Sequence, residues 1–183
     1  MISRMSYSVI KKFISSKVFL SGLAFQLVWF LLVLSPPFIA LVGLLAYCIF
    51  HLAYISKDRL LWIFSIRICV VGLAIDSFFF YSGVFNLSSG SRVVPFWLAG
   101  LWLCFCLAVP FAFSFLKRHY IVCALFGLTG APISYFSGVT LRDDVSLASP
   151  TALSLAYIGV SWSVFLCYSF FLLNKVPTFS NKL

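Results

Sequence analysis

Of 183 residues, 63% are hydrophobic and 9% charged, with a mean hydropathy of +1.11, against about 25% charged residues in ordinary soluble domains. That excludes a water-soluble core and predicts an all-α, polytopic bundle of about six transmembrane helices, since each crossing of ~30 Å of hydrocarbon takes ~20 apolar residues. The formal charge of +9, from 13 Lys and Arg against 4 Asp and Glu, falls between the apolar runs; this assigns it to anionic lipid headgroups at the cytoplasmic surface and argues against nucleic acid as a partner.

In chain order, residues 1–17 set Met5, Val9 and Phe13 at helical spacing beside Lys11, Lys12 and Lys17, the pattern of a basic cytoplasmic or interfacial segment. A cleaved signal peptide is not expected. The apolar run from Val18 to Leu34 exceeds a signal core, and Ser35-Pro36-Pro37 lacks a small-x-small cleavage pattern. A single six-helix domain is expected over residues 18–174. Its first span, Val18 to Leu34, is ended by Pro36 and Pro37, and Pro37 is placed to open the second, which continues to Ile55.

Ser56-Lys57-Asp58-Arg59 is the next polar turn. The third span runs from Leu60 to about Val84 and is broken by the Gly/Ser-rich stretch from Asn86 to Ser91. The fourth is read from Val93 to Leu116, stopping at Lys117-Arg118-His119, and the fifth from Tyr120 to Thr140. After the turn Leu141-Arg142-Asp143-Asp144, the sixth covers Ser149 to Leu173, and residues 175–183 form a cytoplasmic tail.

Lys and Arg alternate between the loops. With the N-terminus inside, the inner segments hold Arg4, Lys11, Lys12, Lys17, Lys57, Arg59, Lys117, Arg118, Lys175 and Lys182, whereas the outer loops hold Arg92 and Arg142. Both termini are therefore expected in the cytoplasm. Trp62 and Trp97 fall near the inner and outer boundaries, where an aromatic belt is expected. The two halves show no convincing self-similarity of the kind that inverted-repeat transporters carry.

The six cysteines, Cys48, Cys69, Cys104, Cys106, Cys123 and Cys167, lie inside apolar runs and form neither a disulfide framework nor a zinc spacing. Phosphate-binding loops, dinucleotide fingerprints and the H-E-x-x-H and G-x-S-x-G patterns do not occur, and the chain contains no Glu. No metal or cofactor is expected.

Asp76 is the one carboxylate inside a span. An ionisable residue there costs roughly 2.5–3.5 kcal/mol on insertion scales unless it is paired or protonated, so it reads by default as a functional candidate. The competing reading is a hydrogen-bonded packing residue that ties the third helix to a neighbour. Arg67 cannot serve it within one helix: the two side chains point to opposite faces, ~13 Å apart along the axis, and Arg67 is placed to snorkel inward. His51, near the same boundary, reads as an interfacial polar tip.

In the fifth span Gly130, Ser134 and Gly138 recur every four residues and share a face that permits close helix approach, while Pro132 frees the carbonyl of Leu128. Asp76 and Tyr135 both lie ~23 Å from the cytoplasmic start of their helices. If the third, fourth and fifth helices adjoin, these two, with Ser77, Tyr81, Ser134 and Trp97 near the same level, would line a small polar pocket opening outward. Arg142, Asp143 and Asp144 read as a solvated turn at its mouth. Ser134 and Tyr135 point about 100° apart, so one of them at most is expected to face Asp76.

The run Pro95-Phe-Trp-Leu-Ala-Gly-Leu-Trp102, with Gly72 to Ser77 (GLAIDS) before it and Gly127 to Leu141 (GLTGAPISYFSGVTL) after it, resembles the bacterial family catalogued as domain of unknown function twenty-eight seventy-eight. The resemblance implies a small multi-pass protein of the Gram-negative inner membrane. It sets Asp76, Trp97, Trp102, Gly130, Pro132, Ser134, Tyr135 and Gly138 at motif positions and supplies no activity. One departure is Arg142-Asp143-Asp144, where the family pattern continues with small residues.

Three functions fit these features. The first is an accessory protein that binds lipid or a partner helix, of another membrane protein or of a second copy, through the Gly130 to Gly138 face. The second is an intramembrane lipid-modifying or lipid-hydrolysing enzyme using Asp76 with Tyr135 or Ser134, and the third is a small transporter with Asp76 as its proton-coupling site.

Overall fold

The computed structural model describes residues 17–117 and 119–177. The interfacial segment expected over residues 1–17 lies outside the described residues except for Lys17, as do Arg118 and the tail from residue 178 onward. Helix α1, Lys17–Leu34, stops where Pro36 and Pro37 withhold backbone donors, and Pro37 opens helix α2, Pro37–Phe50, from a first-turn position whose missing N–H costs nothing. The last turn of that span, His51–Ile55, widens into a π-helical turn. Lys17 Nζ donates to the carbonyl of Ile55 at 2.6 Å, placing a cation on the negative end of the helix.

Helix α3, Arg59–Tyr81, is capped by Asp58, whose side chain accepts from the backbone N–H of Leu60. It ends at Ser82 before Gly83, whose φ of +80° suits glycine. Helix α4 is Phe96–Ala108, helix α5 is Tyr120–Thr140 with Pro132 inside it, and helix α6 is Thr151–Leu173. Five helical spans, counting Pro37–Ile55 as one, are long and apolar enough to cross a membrane; α4 is the shorter apolar helix.

The fourth span differs from the one read over Val93 to Leu116. A helix of 13 residues covers about 20 Å, and turns with a short 3-10 segment, Ser114–Leu116, complete the passage. Pro110 is the cause, since it lacks the N–H for Cys106 and its ring crowds that carbonyl. Such irregular backbone survives at membrane depth where protein encloses it, and Val109 and Leu116 are indeed fully buried. So is nearly all of α4, which packs against α1, α2 and α3. Cys104 and Cys106, on opposite sides of α4, are both fully buried for that reason.

The other large contact is the antiparallel pair α5 and α6, with α3 touching α6. An added Cβ at Gly127 would lie 2.6 Å from the backbone of Ser163, and one at Gly159 would lie 2.7 Å from the carbonyl of Leu128, which Pro132 has freed. The α5–α6 crossing therefore depends on Gly127 and Gly159 rather than on the expected Gly130–Ser134–Gly138 face. A Cβ at Gly138 would meet nothing within 4 Å, and one at Gly130 meets only Phe126 of its own helix.

At one end of the bundle the loops after α3 and α5 pair as a two-stranded antiparallel ribbon, β1 Phe85–Leu87 against β2 Val145–Leu147, with Asn86 opposite Ser146. The core runs through the bundle interior from Leu32 and Ile68 to Phe165 and Phe170.

Candidate functional site

Asp76 is wholly buried. Its Oδ2 accepts from the indole N–H of Trp102 at 2.6 Å, and the hydroxyl of Tyr135 donates to both carboxyl oxygens, at 2.8 and 2.9 Å. Three helices thus meet on one carboxyl group: α3 supplies the acceptor, and α4 and α5 supply the donors. No Lys, Arg or His among the described residues forms an ion pair with it.

Gly72, one turn before Asp76 on the same face of α3, makes room for the indole. Any side chain there would overlap the six-membered ring of Trp102. That ring stacks on Trp162 of α6 with centroids 4.7 Å apart and planes 18° apart, and the ring of Tyr135 stacks on Phe85 of β1 at 5.4 Å. Each donor to Asp76 is therefore held by an aromatic neighbour from another element.

Trp102 and Tyr135 also line a cavity of about 560 Å³. On one side stand Phe25, Gln26, Trp29 and Phe30 of α1; on the other stand Gly130, Ser134 and Gly138 of α5. These two helices flank the space without packing along one another. Phe30 and Ile133, 46% and 66% exposed, belong to its rim, so it opens on the flank of the bundle. Among the described residues its lining holds no Asp, Glu, Lys or Arg, and aromatic rings dominate it, the character of a site for an apolar molecule.

Trp97, Leu141 and Val145 line the end of the cavity nearest the ribbon. Arg142 closes over this end. Its guanidinium grips Asp144 in a bidentate pair at 2.6 and 2.7 Å, donates to the carbonyl of Val33 at the end of α1 at 3.0 Å, and lies 4.9 Å from the ring centre of Trp97. The guanidinium holds the carboxyl of Asp144 below its ordinary range. The pair therefore contributes fully above the usual carboxylate pKa and is lost as pH falls through the lowered one.

Of the residues singled out by sequence, the structure brings together Asp76, Trp102 and Tyr135 as partners, and places Trp97, Gly130, Ser134 and Gly138 along the cavity. Pro132 faces Gly159 in the α5–α6 crossing. Ser134 is exposed toward the cavity, and Tyr135 is the residue of the two that reaches Asp76. Ser77 and Tyr81 are exposed on the outside of α3, because they fall off the face that Asp76 shares with Gly72 and Phe80.

Trp97, expected in a membrane-surface belt, is 8% exposed beneath Arg142. His51, expected at an interface, is buried among Tyr47, Trp62 and Phe111. In the turn expected to be solvated, Asp143 is exposed, whereas Arg142, paired with Asp144, is a clasp between α5, α1 and α4. Sequence reasoning missed Gln26 and Trp162. The signals were present: Gln26 is the one Gln of the chain, inside an apolar run, and Trp162 is an indole at mid-span rather than at headgroup depth.

A helical bundle with five helices of membrane-spanning length, a carboxylate locked at its centre and an uncharged cavity on its flank defines a protein built for lipid surroundings. The chain belongs to the family described as Protein of unknown function (DUF2878), whose model matches residues 18–168. Searches of curated proteins and of solved structures returned no match.

Proposed function

We propose that this chain is a multi-pass protein of a bacterial inner membrane, with one transmembrane domain over residues 18–174 and both ends in the cytoplasm, that takes up an apolar, lipid-like molecule through the gap between α1 and α5. The observation that carries this reading is the cavity of about 560 Å³, aromatic, uncharged and rimmed by flank residues. That volume falls inside the range of about 300–1,000 Å³ typical of small-molecule sites. The bias of Lys and Arg toward one set of loops supports the orientation, and the bacterial inner membrane is what the resemblance drawn from the sequence implies.

Binding is favoured over catalysis or proton coupling by the placement of Asp76. An acid, base or coupling site has to meet its substrate or ion, whereas Asp76 is fully buried, satisfied by Trp102 and Tyr135, and behind the cavity wall. Its role here is to hold α3, α4 and α5 in register so that the cavity keeps its shape.

The test is native mass spectrometry of the protein released from nanodiscs of defined lipid composition. The wild type is expected to retain one apolar molecule. Gly138→Leu, which projects a side chain where nothing lies within 4 Å, is expected to lose it with an unchanged melting temperature. Equal retention by the two proteins, or none by the wild type, would overturn the reading.

A further inference from the structure

Gln26 of α1 and Ser134 of α5 are both exposed, and both line the cavity, from its two flanking helices. Among the described residues neither side chain makes a hydrogen bond. The other polar groups of the wall are occupied or shut away. The donors of Trp102 and Tyr135 are spent on Asp76, Ser137 Oγ donates to the carbonyl of Ile133 at 2.8 Å, and the indole nitrogens of Trp97 and Trp162 are sealed beneath the surface. Thr129 and Thr140 also turn back onto carbonyls of α5, so Ser134 is the Ser or Thr of that helix whose hydroxyl stays open.

The two open groups stand at nearly one level. Arg142 ties the end of α5 to Val33 at the end of α1. Counted back from those ends, Gln26 lies about 12 Å before Leu34 and Ser134 about 9 Å before Thr140. At that depth an amide or hydroxyl loses its bonds to water and recovers none unless a partner enters. The cavity they face runs along about 20 Å of α5, from Phe126 to Val139, and holds about 560 Å³. An α-helix about 10 Å across would fill about 1,500 Å³ over that length, so a partner helix does not fit, whereas an extended hydrocarbon chain does. A charged headgroup would be desolvated there with no opposite charge among the described lining residues.

A carboxamide offers two donors and an acceptor, and a hydroxyl offers one donor and two lone pairs. An ester or ketone oxygen accepts but leaves the Gln26 carbonyl unmet; a group that donates as well meets both walls. Resting on the lipid-binding reading above, we infer that the cavity selects a neutral amphiphile whose polar group both donates and accepts hydrogen bonds, held between the Gln26 carboxamide and the Ser134 hydroxyl while its chain lies along the cavity. Diacylglycerol-type alcohols and fatty amides share this chemistry.

The experiment measures affinity in nanodiscs for two matched pairs: dioleoylglycerol against its 3-O-methyl ether, and oleamide against N,N-dimethyloleamide. Methylation keeps the acceptor and removes the donor. In at least one pair the uncapped member is expected to bind about tenfold tighter, roughly the net worth of one hydrogen bond; the pair that shows it identifies the source. Gln26→Leu and Ser134→Ala, both at exposed positions, are expected to shrink that difference with unchanged melting temperatures. Equal affinity within both pairs for the wild type overturns the inference and leaves the lipid cavity standing, and it needs no variant to fold. A difference that survives in both variants overturns the assignment to Gln26 and Ser134. A dimeric wild type that Gln26→Leu converts to a monomer would give the amide to a second copy of the chain and overturn it as well. Binding of none of the four molecules overturns the lipid cavity itself.

Discussion

The Asp76 carboxyl is the point where loss of a single atom or group is felt across three helices. Tyr135→Phe removes the donor that bridges both oxygens but leaves the Trp102 bond and most of the ring packing against Phe85, so its cost is expected at about 1–2 kcal/mol. Asp76→Ala orphans a buried N–H and a buried O–H together and is expected to cost about 2–4 kcal/mol. Because the Tyr135 hydroxyl is bonded to both oxygens of Asp76, the double variant Asp76→Ala/Tyr135→Phe should cost less than the sum, with a coupling of at least about 1 kcal/mol. Reversible unfolding in mixed micelles reads all three. Additive losses would show that the bonds at 2.8 and 2.9 Å contribute nothing to stability. That Asp76 and Tyr135 belong together was legible from depth, since both sit ~23 Å from the same end of their helices. Trp102 came from the family resemblance alone, because neither its spacing nor its type shows which way a lone indole points.

Along the helices, glycine plays two opposite parts that an every-four-residues pattern does not distinguish. Gly127 and Gly159 are in backbone contact across α5 and α6, and a methyl group at either would force the helices apart. Gly127→Ala and Gly159→Ala are expected to destabilise by roughly 1–3 kcal/mol, the cost of overpacking a tight contact. Gly130→Ala meets only ordinary contact with Phe126 and should be neutral or stabilising by up to about 1 kcal/mol, the ordinary gain of alanine over glycine within a helix. Thermal melts of the three variants decide this, and a large loss at Gly130 would place an unseen helix against that face. The sequence pattern marked Gly130, Ser134 and Gly138 as the contact because they share a face. What it lacked was the partner: small residues on one helix make a crossing only where another helix offers its own, and Gly159 does so opposite Leu128. Helix ends were legible where prolines or a polar turn interrupt an apolar run, as at Pro36-Pro37 and after Thr140. The early end of α4 was not, since Pro110 lies among apolar residues that carry the hydropathy on to Leu116. Strands β1 and β2 are three residues each, too short for any alternation to register.

At the scale of the whole molecule, contacts between loops sort the chain into two ends. The N–H of Ser88 donates to the carbonyl of Asp144, and Arg142 reaches Val33, so the turns after α1, α3 and α5 share one end. At the opposite end Lys17 binds the carbonyl of Ile55, and the side-chain amide of Asn174 donates to the hydroxyl of Tyr120, which gathers the start of α1, the turn after α2, the start of α5 and the end of α6. The second end carries Lys17, Lys57, Arg59 and Lys175, whereas the first carries Arg92 and Arg142, and the charge of Arg142 is already met by Asp144. Retention of basic loops on the cytoplasmic side is the ground on which the second end is proposed to face inward. Single cysteines can report the outcome, because the native thiols are buried or half-buried within the bundle. In intact cells a membrane-impermeant maleimide is expected to label Ser89→Cys, and to label Lys57→Cys only after the membrane is opened. The reverse pattern would invert the molecule and turn the Arg142 clasp toward the cytoplasm. Labelling of both sites from outside would mean that the two ends of the bundle are not separated by a bilayer, and the flank cavity would then face water, where an aromatic, uncharged lining has no reason to stay open.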